Sequence, residues 1–245
     1  MDEHFLYQIM NELFRMDAPI IFKGALITNL VLREFENPSN MQRKTKDIDA
    51  DWTGHPPSME ELCSWVQAAV DRVVPGLIVM SKRDYGEHRS AGFAIYNQDM
   101  KKITSLDISV RENPFSRIYE FEDMKFRGVN VDKILVDKIS AISSDRIIRR
   151  VKDLADVYSL SLCTTYERRN LLKIADETGR KIGDFSYFKI HRPELSVAYE
   201  RLKDIEGKVP FDKVYLQVDK FTKPLQEMAC TVKRKMRPEE KGPRI

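Results

Sequence analysis

Cysteine is scarce in this chain: 245 residues contain only Cys63, Cys163 and Cys230. An odd, widely spaced set without a C-x-x-C pair offers neither a disulfide framework nor a zinc cluster. The four histidines, His4, His55, His88 and His191, have no ligand spacing and read as surface residues. Glycine and proline, ten and eleven residues, are too few for a fibrous or collagen-like chain. No apolar run reaches the roughly 18 residues of a membrane span, and Met1-Asp2-Glu3 opens without an apolar leader. These absences lead to the expectation of a reduced, cytoplasmic protein without membrane contact. What is present, 42% hydrophobic and 32% charged residues, suits a folded chain of one large domain or two modest ones.

The net charge of +3 is misleading as a sign of nucleic-acid binding. Lys233, Arg234, Lys235, Arg237, Lys241 and Arg244, against Glu239 and Glu240, give the last thirteen residues +4, so residues 1–232 sum to −1. The basicity belongs to a tail, which has no apolar period and is expected to be disordered from about 231 to 245.

Phe5, Ile9, Leu13 and Met16 form a helical stripe, followed after Pro19 by the apolar run Ile20-Ile21-Phe22. Lys23-Gly24 breaks that run, and Ala25 to Phe35 returns to helical spacing, giving strand, glycine turn, helix. A strand over Asp47–Trp52 comes next, then a helix from about Ser58 to Val74. Further strands are expected at Leu77–Met80, Gly92–Tyr96, Ile103–Val110 and Met124–Val131, the last pair turning at Gly128. From Asp132 the period is helical: Lys133–Ser143, Asp145–Leu162, Tyr166–Glu177, Glu194–Asp204 and Lys213–Met228, the last containing Pro224. The fold class is therefore α+β: a small mixed-sheet domain over 1–131, then a helical domain over 132–230. No internal repeat is evident.

The central chemical signal is Asp47-x-Asp49 on a strand, where a period of two puts Asp47, Asp49 and Asp51 on one face and Ile48, Ala50 and Trp52 on the other. Convergent carboxylates are costly unless cations neutralise them, and hard oxygen donors on a rigid strand suit Mg²⁺. A solvated edge face would carry the same pattern. Asp107 repeats it, opposite Leu106, Ile108 and Val110, and supplies the third acid that two-metal phosphoryl transfer requires. The turn Phe22-Lys23-Gly24-Ala25 opens a helix whose N–H groups could meet a phosphate, with Lys23 adding charge. It is not a P-loop, since Gly-x-x-x-x-Gly-Lys is absent.

In the helix at 145–162, Ile147, Val151, Leu154, Tyr158 and Leu162 form an apolar stripe, with Arg146, Arg149, Asp153 and Asp156 on the far side. That far side is either a salt-bridged solvated face or a wall in which Lys138 and the arginines meet a triphosphate and Asp153 positions one of them. The run Lys82-Arg83-Asp84-Tyr85-Gly86-Glu87-His88-Arg89 reads as a hairpin turn or, with its mixed cations and aromatic ring, as a contact for single-stranded RNA. Trp52 and Trp65 read as packing residues.

Taken in order, Ile20-Ile-Phe-Lys-Gly-Ala25, Arg43-Lys-Thr-Lys-Asp47-Ile-Asp49-Ala-Asp51-Trp52, Leu106-Asp107-Ile108, Lys138-Ile-Ser-Ala141 and Arg149-Arg-Val-Lys152-Asp153-Leu-Ala-Asp156-Val-Tyr158 resemble the AbiEii/AbiGii-type nucleotidyltransferase toxins of the DNA polymerase β-like superfamily. The resemblance covers about residues 18–160 and departs at Ala25 and Leu26, where the family has a second glycine and a small or hydroxylated residue. It implies Mg²⁺- or Mn²⁺-dependent transfer of a nucleoside monophosphate from an NTP to an acceptor hydroxyl, with tRNA or another RNA as acceptor. Asp47, Asp49 and Asp107 would be catalytic and metal-binding; Lys23, Gly24, Thr45, Lys138 and Asp153 would serve the nucleotide and its phosphates. It also implies a toxin or phage-defence role with a cognate antitoxin. The competing expectation is a non-catalytic nucleotide- or partner-binding module, which the Lys-Gly-Ala turn favours.

Overall fold

A computed structural model describes residues 3–35, 41–85 and 90–236, with side chains as far as Glu227. His88, the second half of the Lys82–Arg89 run, the Cys230 side chain and the tail beyond 236 lie outside the described residues.

The chain divides into two compact units, residues 1–134 with 204–207, and residues 135–203 with 208–245. In the first, helix α1 (Glu3–Arg15) leads into strand β1 (Ile20–Lys23), helix α2 (Gly24–Glu34), strands β2 (Gln42–Arg43) and β3 (Asp47–Trp52), and helix α3 (Met59–Val73). Strands β4 (Ile78–Arg83), β5 (Ser90–Tyr96), β6 (Lys102–Val110), β7 (Ser116–Phe121) and β8 (Met124–Val129) follow. They build one seven-stranded sheet in the order β4-β5-β6-β3-β1-β8-β7. It is mixed: β3 runs parallel to β6 and β1 parallel to β8, while β1 and β3 are antiparallel.

Alternation sets the core. Ile48, Ala50, Leu106 and Ile108 are fully buried, and Tyr7 of α1 stacks on Phe126 of β8 at 5.7 Å, with Phe22 edge-on to Phe126 at 6.4 Å. Trp52 and Trp65 meet edge to face at 6.2 Å, so both pack, as the sequence suggests. Helix α3 starts at a capping box in which Ser58 Oγ accepts from the Glu61 N–H and Glu61 accepts from the Ser58 N–H.

Three sequence expectations change. Strand β7 has no counterpart in the sequence pattern: it is an edge strand in which only Tyr119 is buried, so its residues read as polar. Gly128 makes no turn but lies inside β8, where a Cβ would come within 2.7 Å of Ile27 Cδ1 and 3.0 Å of the Tyr119 ring. The chain turns instead at Glu122, in the left-handed region at φ 52°. Strand β9 (Ile205–Glu206) pairs with β2, returning a short segment to the first unit from far along the chain.

The second unit is helical. Helix α4 (Val131–Ile142) carries the chain into it, followed by a 3₁₀ turn (Ile147–Arg150), α5 (Val151–Ser161), α6 (Arg168–Glu177), α7 (Ser186–Ile190), α8 (Arg192–Glu200) and α9 (Phe211–Met236). Phe188 stacks on Tyr215 at 4.5 Å, and Tyr166 Oη donates to the Phe221 carbonyl at 2.7 Å. Pro224 sits inside α9, which continues over residues 231–236, a stretch expected to belong to the tail. No helix of the described residues is long and apolar enough to cross a membrane.

Candidate active site

The parallel register of β3 and β6 sets Asp47 opposite Ser105, Asp49 opposite Asp107, and Asp51 opposite Ser109. Lys23, the last residue of β1, lies opposite Asp49 on the other flank. Three neighbouring strands therefore bring the predicted acids and the predicted turn to one place.

Gly24 explains the turn. It opens α2 at φ +76°, a conformation that L side chains rarely adopt, and the Asp49 carboxylate occupies the space a Cβ would need: Asp49 Cβ and Cγ would lie 3.1 Å away. The glycine thus lets the backbone of the turn press against the carboxylate. Ala25 is buried in the first turn of α2 and is not among the residues with positive φ, so the departure from the family's second glycine leaves the turn unstrained. Helix α2 begins without a side-chain cap and with no acid in its first turn.

The acids are neutralised unequally. Asp51 is only 2% exposed, ion-paired with Lys23 and accepting from Asn113 Nδ2 at 3.1 Å. Lys23 Nζ also reaches Ser109 Oγ at 3.4 Å. Asp47, at the exposed start of β3, accepts from the Ser105 hydroxyl. Asp107 is half-exposed and paired at 2.7 Å with Arg83, at an irregularity in the β4–β5 register. Gly92, opposite Asp107, leaves room for this pair; a Cβ there would stand 3.1 Å from Asp107 Oδ1. The sequence marks Arg83 only as part of a basic run read as a hairpin turn or an RNA contact, and the β4–β5–β6 pairing brings it to Asp107. With Asp107 turned to Arg83 and Asp47 to Ser105, no three His, Cys, Asp or Glu side chains among the described residues are gathered closely enough to hold one ion.

Thr45 caps the start of β3 loosely, its hydroxyl accepting from the Asp47 N–H at 3.3 Å. In the second unit, Lys138 Nζ lies 2.8 Å from Asp153 and 2.6 Å from Asp156, all three buried, and Arg150 adds a contact to Asp153 at 2.7 Å. The expectation that Asp153 and Asp156 share an outer face with Arg146 and Arg149 is therefore corrected: the arginines are exposed and the acids point inward. The tighter 3₁₀ turn over 147–150 shifts the phase of the helix, and Lys138 offers the acids an interior counter-charge. Cys63 and Cys163 are free and half-buried, and burial raises both thiols above the ordinary cysteine range, which disfavours a reactive thiolate.

Comparison with solved structures gives JHP933 from Helicobacter pylori, at a TM-score of 0.56 and 16% identity, covering 96% of this chain and 94% of that one. MenT4, a nucleotidyltransferase toxin from Mycobacterium tuberculosis H37Rv, aligns at a TM-score of 0.43 and 14% identity, over 94% and 91% of the two chains. No curated protein matches the sequence. The profile of the nucleotidyl transferase AbiEii toxins of type IV toxin–antitoxin systems matches residues 4–229, nearly the whole chain, and this protein belongs to that family.

Proposed function

We propose that the protein transfers a nucleoside monophosphate from an NTP to an acceptor hydroxyl on tRNA or another RNA, with release of pyrophosphate. The observation that carries this reading is the register of Asp49 against Asp107 beside Gly24. The donor set fits a hard divalent cation, Mg²⁺ or Mn²⁺: carboxylates on adjacent strands of a rigid sheet, one of them already paired with a cationic side chain. Asp47 and Asp49 would hold it and Asp107 would complete the set once Arg83 releases it. A bound cation would neutralise charge on the phosphates and favour ionisation of the acceptor hydroxyl.

The protein's own residues supply the rest. Lys23 holds Asp51, which fixes the end of β3 and with it the spacing of Asp47 and Asp49. The uncapped start of α2 directs backbone N–H groups, and the partial positive end of its dipole, toward an anion beside Gly24. Thr45, whose hydroxyl accepts from the Asp47 N–H, would serve the nucleotide beside Asp47. Lys23 and Lys138 would reach a phosphate only by exchanging carboxylate partners. Family membership supports a toxin role with an antitoxin partner, and we extend it to phage defence in the cytoplasm.

The test is transfer of label from each α-³²P-NTP to total RNA with Mg²⁺, by wild type and by Asp49→Asn. A loss of at least about 100-fold, with an unchanged melting curve, is expected for removal of a main electrostatic stabiliser. Wild-type rates in Asp49→Asn would refute the site. Absence of transfer with every NTP and acceptor would favour the binding-module alternative.

A further inference from the structure

At the end of the sheet where β3 and β6 begin, a cavity of about 380 Å³ is lined by Thr45 and Lys46 before β3, by Asn97 and Lys101 of the β5–β6 turn, and by Lys102 and Thr104 of β6. Its volume is in the range of small-molecule sites. Three lysines are among the residues that line it and none of the lining residues is acidic. Among the described residues, none of these three ammonium groups has a carboxylate partner, whereas Lys23, Arg83, Lys138 and Arg150 near the predicted site positions are all ion-paired. Like charges gathered without counter-charge repel one another, and an anion in the cavity would remove that cost.

The frame around the lysines is built. The β5–β6 turn is closed by the Asn97 N–H to the Lys101 carbonyl at 3.1 Å, and Asn97 Oδ1 accepts from the Lys101 N–H at 2.8 Å. The Thr104 hydroxyl donates to the Lys46 carbonyl, tying β6 to the residue before Asp47. Lys102 Nζ donates to Ser105 Oγ at 3.1 Å, and Ser105 in turn donates to Asp47. A chain of two hydrogen bonds thus joins the cavity to the first acid of the site.

We infer that this cavity binds phosphate groups of the nucleotide substrates, through Lys46, Lys101 and Lys102. Lysine is a point-charge phosphate binder that imposes little geometry, which suits either the triphosphate of an NTP or the backbone of an RNA acceptor. The inference rests on the nucleotide-handling reading above, but it concerns binding and not transfer.

The experiment compares wild type with the triple variant Lys46→Gln/Lys101→Gln/Lys102→Gln, each with Asp49 intact, and turnover is blocked by an α,β-methylene linkage in the nucleotide probe. Two probes are titrated at several salt concentrations: a fluorescent single-stranded 12-nucleotide RNA and a fluorescent ATP analogue with Mg²⁺. Lys125→Gln, which removes an exposed lysine paired with Glu120 on the β7–β8 hairpin, is the charge control. The triple variant is expected to weaken at least one probe by about 10-fold or more, with its melting temperature retained and Lys125→Gln unaffected. If RNA is the probe that weakens, the slope of log affinity against log salt should also fall by about 0.7 for each phosphate that the lysines no longer neutralise. Weakening confined to RNA assigns the cavity to the acceptor strand, and weakening confined to the ATP analogue assigns it to the triphosphate. Unchanged affinity for both probes in the folded triple variant overturns the inference. Should the wild type prove inactive in transfer while the triple variant still loses affinity, the catalytic reading fails and the anion site stands.

Discussion

Gly24→Ala separates the cost of a strained turn from the cost of a displaced acid. At φ +76°, alanine pays about 1–2 kcal/mol for left-handed backbone alone. Its Cβ would also lie 3.1 Å from Asp49 Cβ and Cγ, where carbon atoms prefer about 3.5–4.0 Å. The Asp49 side chain must therefore retreat by roughly half an ångström or more, and misplacements of about 1 Å can lower a rate about 100-fold. Gly54→Ala is the matched control, since Gly54 has φ +81° and nothing within 4 Å of a built Cβ. Both variants should melt lower, by roughly 2–8 °C for that backbone cost in a chain of this size. Only Gly24→Ala should lose transfer, by about 30- to 100-fold in single-turnover labelling with α-³²P-NTP at a temperature where both are folded. If Gly24→Ala transfers label within about threefold of Gly54→Ala, the close approach of the turn to Asp49 has no catalytic meaning and the reasoning fails.

Two other outcomes follow from the ion pairs. Lys138→Met should destabilise the protein by about 3 kcal/mol in urea unfolding, the low end for breaking a buried pair, because it removes the ammonium that Asp153 and Asp156 share while Arg150 still contacts Asp153; a change under about 1 kcal/mol would mean that the cluster has ready access to solvent. Arg83→Ala should raise Mn²⁺ affinity severalfold in titrations followed by electron paramagnetic resonance, because it frees Asp107 from a half-exposed pair of the kind worth about 0.2–1 kcal/mol. A weaker Mn²⁺ affinity would show instead that Arg83 supports the cation site.

The face that Asp47, Asp49 and Asp107 share is legible in the sequence because strand periodicity is local: Ile48, Ala50, Leu106 and Ile108 announce the buried side, and the acids take the other. That Asp51, with the same parity, is buried cannot be read locally, since its partners Lys23 and Asn113 come from 28 residues before and 62 after. The same limit hides Arg83 at Asp107, the β2–β9 pair and the inward turn of Asp153 and Asp156, all of which depend on contacts distant in sequence. Edge strand β7 escapes for another reason: with one buried residue in six, it has almost no hydrophobic pattern to read.

The carboxylates of the sheet face divide by how easily each could change partners. Asp51 lies deep, its counter-charge Lys23 is itself mostly buried, and Asn113 takes its second oxygen. Stripping that arrangement would leave a buried charge unpaired, which costs several kcal/mol, so Asp51 and Lys23 belong to the framework. Asp107 and Arg83 are each about half exposed, with side-chain exposures of 47%, and a pair so open to solvent exchanges partners at small cost. Asp47 accepts from the hydroxyl of Ser105, which can turn its proton to another acceptor. On the proposed reading, the positions that would gain and lose a cation are thus Asp107 and Asp47, beside an Asp49 braced against the Gly24 backbone, while the acid that must not move is the one the protein has buried.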